Sequence, residues 1–253
     1  MDLQGRIFLI MNKQYRLLIF VFLTIILQVF LMENFLGVSL QYPFLLGVPI
    51  SSNIQMNHQF LIYWYLPIAA LTFYFSDFVN QAFQKKGILK IIRNYDVKKW
   101  VLKRFLFIAC ILLIYILFQV VLFSSINSYK QSISIDQFLL LLNYFFMLLS
   151  LIGLQMVLEL TFSSKIAILC INIYIVGSIL LTQEIYVNDW SNLYFIVYFM
   201  IPNYGMGFKT GYNISHLNTE IINRHADLPV LIIVNLIIVF FVLKRMKKID
   251  ILP

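Results

Sequence analysis

The chain has 253 residues, of which 61% are hydrophobic, 17% aromatic and only 12% charged. A soluble domain carries about a quarter charged residues, so this composition excludes a water-soluble globular protein. It predicts a single domain, residues 1–253, with lipid as its solvent. The formal net charge of +8 would suggest nucleic acid in a soluble protein. Here the cations sit where membrane topology puts them, and no nucleic-acid partner is expected.

In chain order, residues 1–16 form an amphipathic lead-in, with Ile7, Ile10 and Met11 on one side and Arg6, Lys13 and Arg16 left wet. They read as a surface helix on the cytoplasmic leaflet. The apolar run that follows has no small-residue cleavage site and is expected to stay as an anchor. Span 1 is predicted over 17–35, with Glu33 near its outer end, and span 2 over 60–78. Between them, residues 37–59 carry no Lys, Arg, Asp or Glu, are broken by Pro43, Gly47 and Pro49, and read as an external loop. Pro67 falls inside span 2, where its missing N–H frees a backbone carbonyl for a neighbouring helix or water.

Next comes a basic bridge, residues 77–104, with the coupling segment proper at 80–104. It carries Lys85, Lys86, Lys90, Arg93, Lys98, Lys99, Lys103 and Arg104. Ile88, Ile91, Ile92 and Tyr95 follow the i, i+3, i+4, i+7 rule, while Lys86, Lys90 and Arg93 share another face. Such a segment is either a solvated stretch held by anionic lipid or a helix that receives a push from a soluble partner.

Span 3 is predicted over 105–123. A capping box, Ser134 to Gln137, opens span 4 over 138–160. Residues 162–165 allow only a tight inner turn before span 5 over 166–183. Residues 184–227 form a long extracellular segment. Its apolar stretch 193–201 is too short to cross and is ended by Pro202, Gly205 and Gly207, so it reads as a re-entrant or interfacial piece. Asp227 and Pro229 start span 6, over 228–243. On this layout sixteen of the nineteen Lys and Arg residues fall on the inner side; Lys130, Lys209 and Arg224 do not. The acids show no such split. That bias predicts an all-α integral membrane protein of six transmembrane helices with both termini in the cytoplasm.

A search for chemistry is largely negative. The chain lacks G-x-x-x-x-G-K-[ST], H-E-x-x-H and G-x-S-x-G, a potassium filter and an arginine ladder. His58, His216 and His225 fall in predicted outer loops and read as wet loop residues rather than metal ligands. Cys110 and Cys170 lie within spans, as small apolar fillers. No catalytic residue, metal or cofactor is expected in this chain. The spans carry amides: Gln28, Gln119, Asn143, Gln155, Asn172 and Asn235. Each is expected to make an interhelical hydrogen bond, worth about 0.5–2 kcal/mol. A polar relay would need a carboxylate, and Glu159 and Glu33 are the nearest candidates. Glu159 alternatively pairs with Lys165 or with the bridge.

The lead-in 1–16, the basic bridge between spans 2 and 3, the tight turn between spans 4 and 5, and the large segment 184–227 with its apolar piece together form a layout. It resembles the six-span permease subunits of ABC-2-type exporters, especially small ones from Gram-positive bacteria that move or expel antimicrobial and amphipathic peptides. The resemblance covers nearly the whole chain and rests on layout rather than on a sharp motif. It implies that the bridge, with Lys86, Ile88, Lys90, Ile91, Ile92, Arg93 and Tyr95, docks on a separate cytosolic ATP-binding subunit. ATP and magnesium would then belong to that partner, and a second permease subunit, identical or not, would complete the pore in the bacterial cytoplasmic membrane. The alternative from another class is a non-transporting immunity or sensor protein that sequesters an antimicrobial peptide. An intramembrane enzyme of lipid metabolism is disfavoured, since no acidic or histidine cluster lies at an interface.

Overall fold

Residues Val97–Ile126 form one unbroken helix, and its two faces explain the architecture. Val101, Phe105, Ile108, Leu112, Tyr115, Gln119 and Phe123 are buried and recur every three or four residues, one stripe of a 3.6-residue helix. The other side is equally apolar, yet Leu102, Leu106, Leu113, Leu117 and Val121 are exposed. A helix that is greasy all round but packed on one side only has lipid against the other.

The computed structural model describes residues 17–31, 42–50, 54–78, 97–126, 134–212 and 220–246, and every regular element among them is helical. In chain order the helices are α1 (Leu17–Leu31), α2 (Ile54–Tyr74), α3 (Val97–Ile126), α4 (Ile135–Glu159), α5 (Ser164–Val187), the short α6 (Tyr194–Val197) and α7 (Asp227–Met246). Four of them, α3, α4, α5 and α7, are long and apolar enough to cross a membrane. The described residues are thus all-helical, and the length and composition of these four helices suit a membrane protein. Helix α1 is apolar but shorter, and α2 opens on the polar run Gln55, Asn57, His58 and Gln59.

Helix α4 is the hub, touching α2, α3, α5 and α7 as well as both irregular connections described below. Its start is fixed by the expected capping box: Ser134 Oγ accepts from Gln137 N at 3.2 Å, and Gln137 Oε1 accepts from Ser134 N at 3.0 Å. All six amides picked out in the spans bond across to another element. Gln28 on α1 donates to Tyr63 O on α2 at 3.2 Å. Tyr63 is the residue four before Pro67, so this is the carbonyl the proline leaves without its helical donor. Gln119 donates to Gln28 Oε1 at 3.0 Å, and Asn235 on α7 donates to Ser150 Oγ on α4 at 2.8 Å.

Three differences from the sequence reading have simple causes. Residues 42–49, within the segment read as an external loop, are folded into the protein and buried rather than open to solvent. The stretch is apolar and uncharged, so it gains by leaving water, and Phe44 packs its ring 5.2 Å from Phe123 and 5.8 Å from Tyr144. Helix α3 starts at Val97, absorbing the last eight residues of the 80–104 segment, where no Gly or Pro intervenes to stop a helix. Cys110 and Cys170 are exposed on the helix surfaces rather than filling the interior.

The second irregular connection, after α6, turns through Ile201–Gly205 and is buried from Pro202 to Thr210. The two connections pair through backbone bonds, Gly207 N to Leu45 O at 2.8 Å and Phe208 N to Leu46 O at 3.0 Å. Gly47 makes this possible. It has φ +77, and a Cβ there would stand 2.3 Å from Met206 Cγ and 2.5 Å from Met206 Cβ. Gly47→Val should therefore destabilise the protein by about 2–4 kcal/mol and open 201–212 to protease in detergent. Gly177→Ala, where nothing lies within 4 Å of the added carbon, is the control expected to cost nothing.

Candidate functional site

The basic bridge leaves the bundle through a turn, Phe75–Asp77, that closes α2. Ser76 N bonds to Phe73 O at 3.2 Å, a tightened last turn that leaves the Thr72 carbonyl without its usual helical donor. Gln155 on α4 supplies one, at 2.9 Å. The Asp77 backbone N–H donates to Glu159 Oε1 at 3.2 Å, and the same oxygen accepts from Gln155 Nε2 at 3.3 Å. Ser164, the first residue of α5, donates its hydroxyl to Asp77 Oδ1. Asn172 on α5 donates to Thr72 Oγ1 at 3.0 Å and accepts from Tyr65 OH at 2.7 Å.

The ends of α2, α4 and α5 thus meet in one polar joint. Glu159, only 3% exposed, sits within it. Asp77 adopts φ +61, the left-handed region that Asp tolerates better than most residues. Bonds to a carboxylate are stronger than neutral ones, so the joint resists separation of the three helices. Asp77, just past the end of α2, is thereby bonded both to the end of α4 and to the start of α5.

A second polar layer lies under the inserted connection. Lys209 is 1% exposed, and among the described residues its Nζ meets one acceptor, Asn203 Oδ1, at 2.9 Å. Asn203 is held in turn by its own donation to Thr182 Oγ1 on α5 at 2.8 Å. The Lys209 carbonyl accepts from both Ile221 N and Ile222 N at 3.0 Å. Burial pushes the Lys209 ammonium down to about 7 from its ordinary value near 10.5, because an apolar site disfavours the charged form. Nearby, Asp227 is fully buried, and Asn143 Nδ2 reaches both its Oδ2 and Tyr212 OH at 3.4 Å. Arg224 pairs with Asp136 and stands 4.9 Å over the Tyr212 ring.

Among the residues singled out from sequence, Glu159 belongs to the joint. Its described partners are Asp77 and Gln155, on the side from which the bridge departs. Lys86, Ile88, Lys90, Ile91, Ile92, Arg93, Tyr95 and Glu33 lie outside the described residues, as does the lead-in 1–16. Sequence reasoning missed Asp77, Thr72 and Ser164 in the joint, and Lys209 beneath the connection.

Residues 20–252 match the family model described as "Protein of unknown function (DUF2705)". The chain belongs to the DUF2705 family. It is also similar to "Uncharacterized protein YybK" of Bacillus subtilis (strain 168), 34% identical over 219 residues, spanning 83% of this chain and 86% of that protein. No solved structure matches the chain. The DUF2705 match takes in the joint, the buried Lys209 layer and the whole bridge, so these features lie within the part of the chain that the family shares.

Proposed function

We propose that this DUF2705 chain is the membrane-spanning permease subunit of an ABC exporter, worked by a separate cytosolic ATP-binding subunit. The observation that carries this reading is the joint at Asp77. The first residue of the bridge is bonded to the C-terminal end of α4 and to the first residue of α5. A partner that moves the bridge therefore moves two apolar helices with it, which is what a coupling segment requires. The asymmetric distribution of Lys and Arg supports six spans with both termini inside. The similarity to a Bacillus subtilis protein supports a bacterial cytoplasmic membrane.

On this reading, ATP and magnesium bind in the partner, closure of that partner shifts 80–104, and a second permease subunit completes the pathway. The lipid-facing helices are apolar, so the cargo is hydrophobic or amphipathic, a peptide or lipid-like molecule. The test is co-purification from native membranes with the tagged full chain. A protein carrying an ATP-binding motif should be recovered with the wild type and lost with Lys86→Glu, Lys90→Glu and Arg93→Glu combined, while membrane insertion stays unchanged. Equal recovery with the variant removes the docking role. Binding of an antimicrobial peptide without any such partner would favour the sequestering alternative.

A further inference from the structure

A half-enclosed groove lies between α1, α2 and α3. Leu18 and Phe22 of α1, Leu71 and Tyr74 of α2, and Ile111 and Ile114 of α3 are among its walls. Those walls are apolar almost throughout, and Ile114 stands 60% exposed at its side. In a membrane protein such an opening faces acyl chains rather than water.

One end of the groove is marked by charge. Two turns before Ile111, on the same face of α3 and about 10 Å along its axis, lies Arg104. Its guanidinium stands 5.1 Å over the Phe78 ring and 5.3 Å over the Trp100 ring. Phe78 in turn lies four residues past Tyr74, just beyond the turn that closes α2. The two aromatic rings hold the guanidinium at this end of α3, and Lys98, Lys99 and Lys103 are exposed on the same two turns. An apolar slot that runs into a cationic collar is complementary to one kind of molecule, an amphiphile with a hydrocarbon tail and a negative head. A neutral lipid satisfies the slot and ignores the collar.

We propose that this groove holds an acyl chain of an anionic phospholipid whose phosphate lies against Arg104. The site is independent of nucleotide and of any partner subunit.

The test uses the full chain in nanodiscs of defined composition, followed by release into detergent and native mass spectrometry of retained lipid. Wild type should retain phosphatidylglycerol over phosphatidylcholine by about five- to tenfold. Ile114→Trp, which fills the groove from its exposed side, should lose retention of both lipids. Arg104→Gln should keep lipid and lose the preference. Leu106→Trp, at a 65% exposed position of α3 that is not part of the groove, should behave as wild type. Equal retention of the two lipids by wild type overturns the proposal. So does unchanged retention in Ile114→Trp, or the same loss in Leu106→Trp. Retention of a free fatty acid with no phospholipid overturns the assignment of the head group.

Discussion

Lys209→Met should make the detergent-solubilised protein more stable below pH 7 and no more stable than wild type above about pH 10. The folded lysine titrates near 7 and the unfolded one near 10.5. Between these values the unfolded chain binds a proton that the folded chain does not, so wild-type stability rises with pH across the window. Below pH 7 both states are protonated, and the full penalty of burying the ammonium remains. That penalty is on the order of 5 kcal/mol, enough to raise the melting temperature of the variant by roughly 5 °C or more at pH 6. Above pH 10 the wild-type amine is neutral, and the methionine leaves Asn203 Oδ1 without its donor, at about 1 kcal/mol. Thermal melts of both proteins at pH 6, 8 and 10 therefore cross. Parallel curves would show that Lys209 keeps its proton and finds water.

Glu159→Ala should separate docking from coupling. The substitution strips the acceptor from the Asp77 backbone N–H and from Gln155 Nε2, both in a buried joint. Gln155 Nε2 keeps its bond to Thr72 O, so the orphaned Asp77 N–H carries most of the cost, about 1–3 kcal/mol, a loss visible as a lower melting temperature of the chain alone. On the exporter reading the consequence is sharper. The cytosolic subunit still docks on the bridge, because 86–95 is untouched, yet its motion no longer reaches α4 and α5. Cargo-stimulated ATP hydrolysis should fall at least about tenfold, the equivalent of 1.4 kcal/mol of coupling. Glu159→Gln keeps an acceptor oxygen in place and should recover much of both readouts. If Glu159→Ala lowers the melting temperature while stimulated hydrolysis stays at the wild-type level, the joint is structural only and the push travels by another route.

The same two sites show where sequence reasoning reaches and where it ends. The amides Gln28, Gln119 and Asn235 were legible because an amide in an apolar helix has few ways to avoid an unpaired polar group other than bonding to a neighbour. Pro67 was legible for the same reason, and Gln28 is the donor its freed carbonyl finds. Asp77, Thr72 and Ser164 were not legible. Each is an ordinary residue at a helix end, and its role depends on three ends meeting in space. Lys209 was placed on the outer side from its position between spans, which says nothing of whether it is buried. The inserted connection buries it against Asn203, which is itself bonded to Thr182 of α5.

What the sequence determined by itself is the solvent of the protein and the class of its elements. The excess of apolar residues, the long apolar runs of the spans, and the capping box at Ser134 are local properties, and local physics decides them. What only the tertiary structure decided is which polar groups leave water together: Glu159 with Asp77, and Lys209 with Asn203. Burial is a property of the whole packed bundle, and the cost of hiding a polar atom depends on partners that lie up to about eighty residues away along the chain.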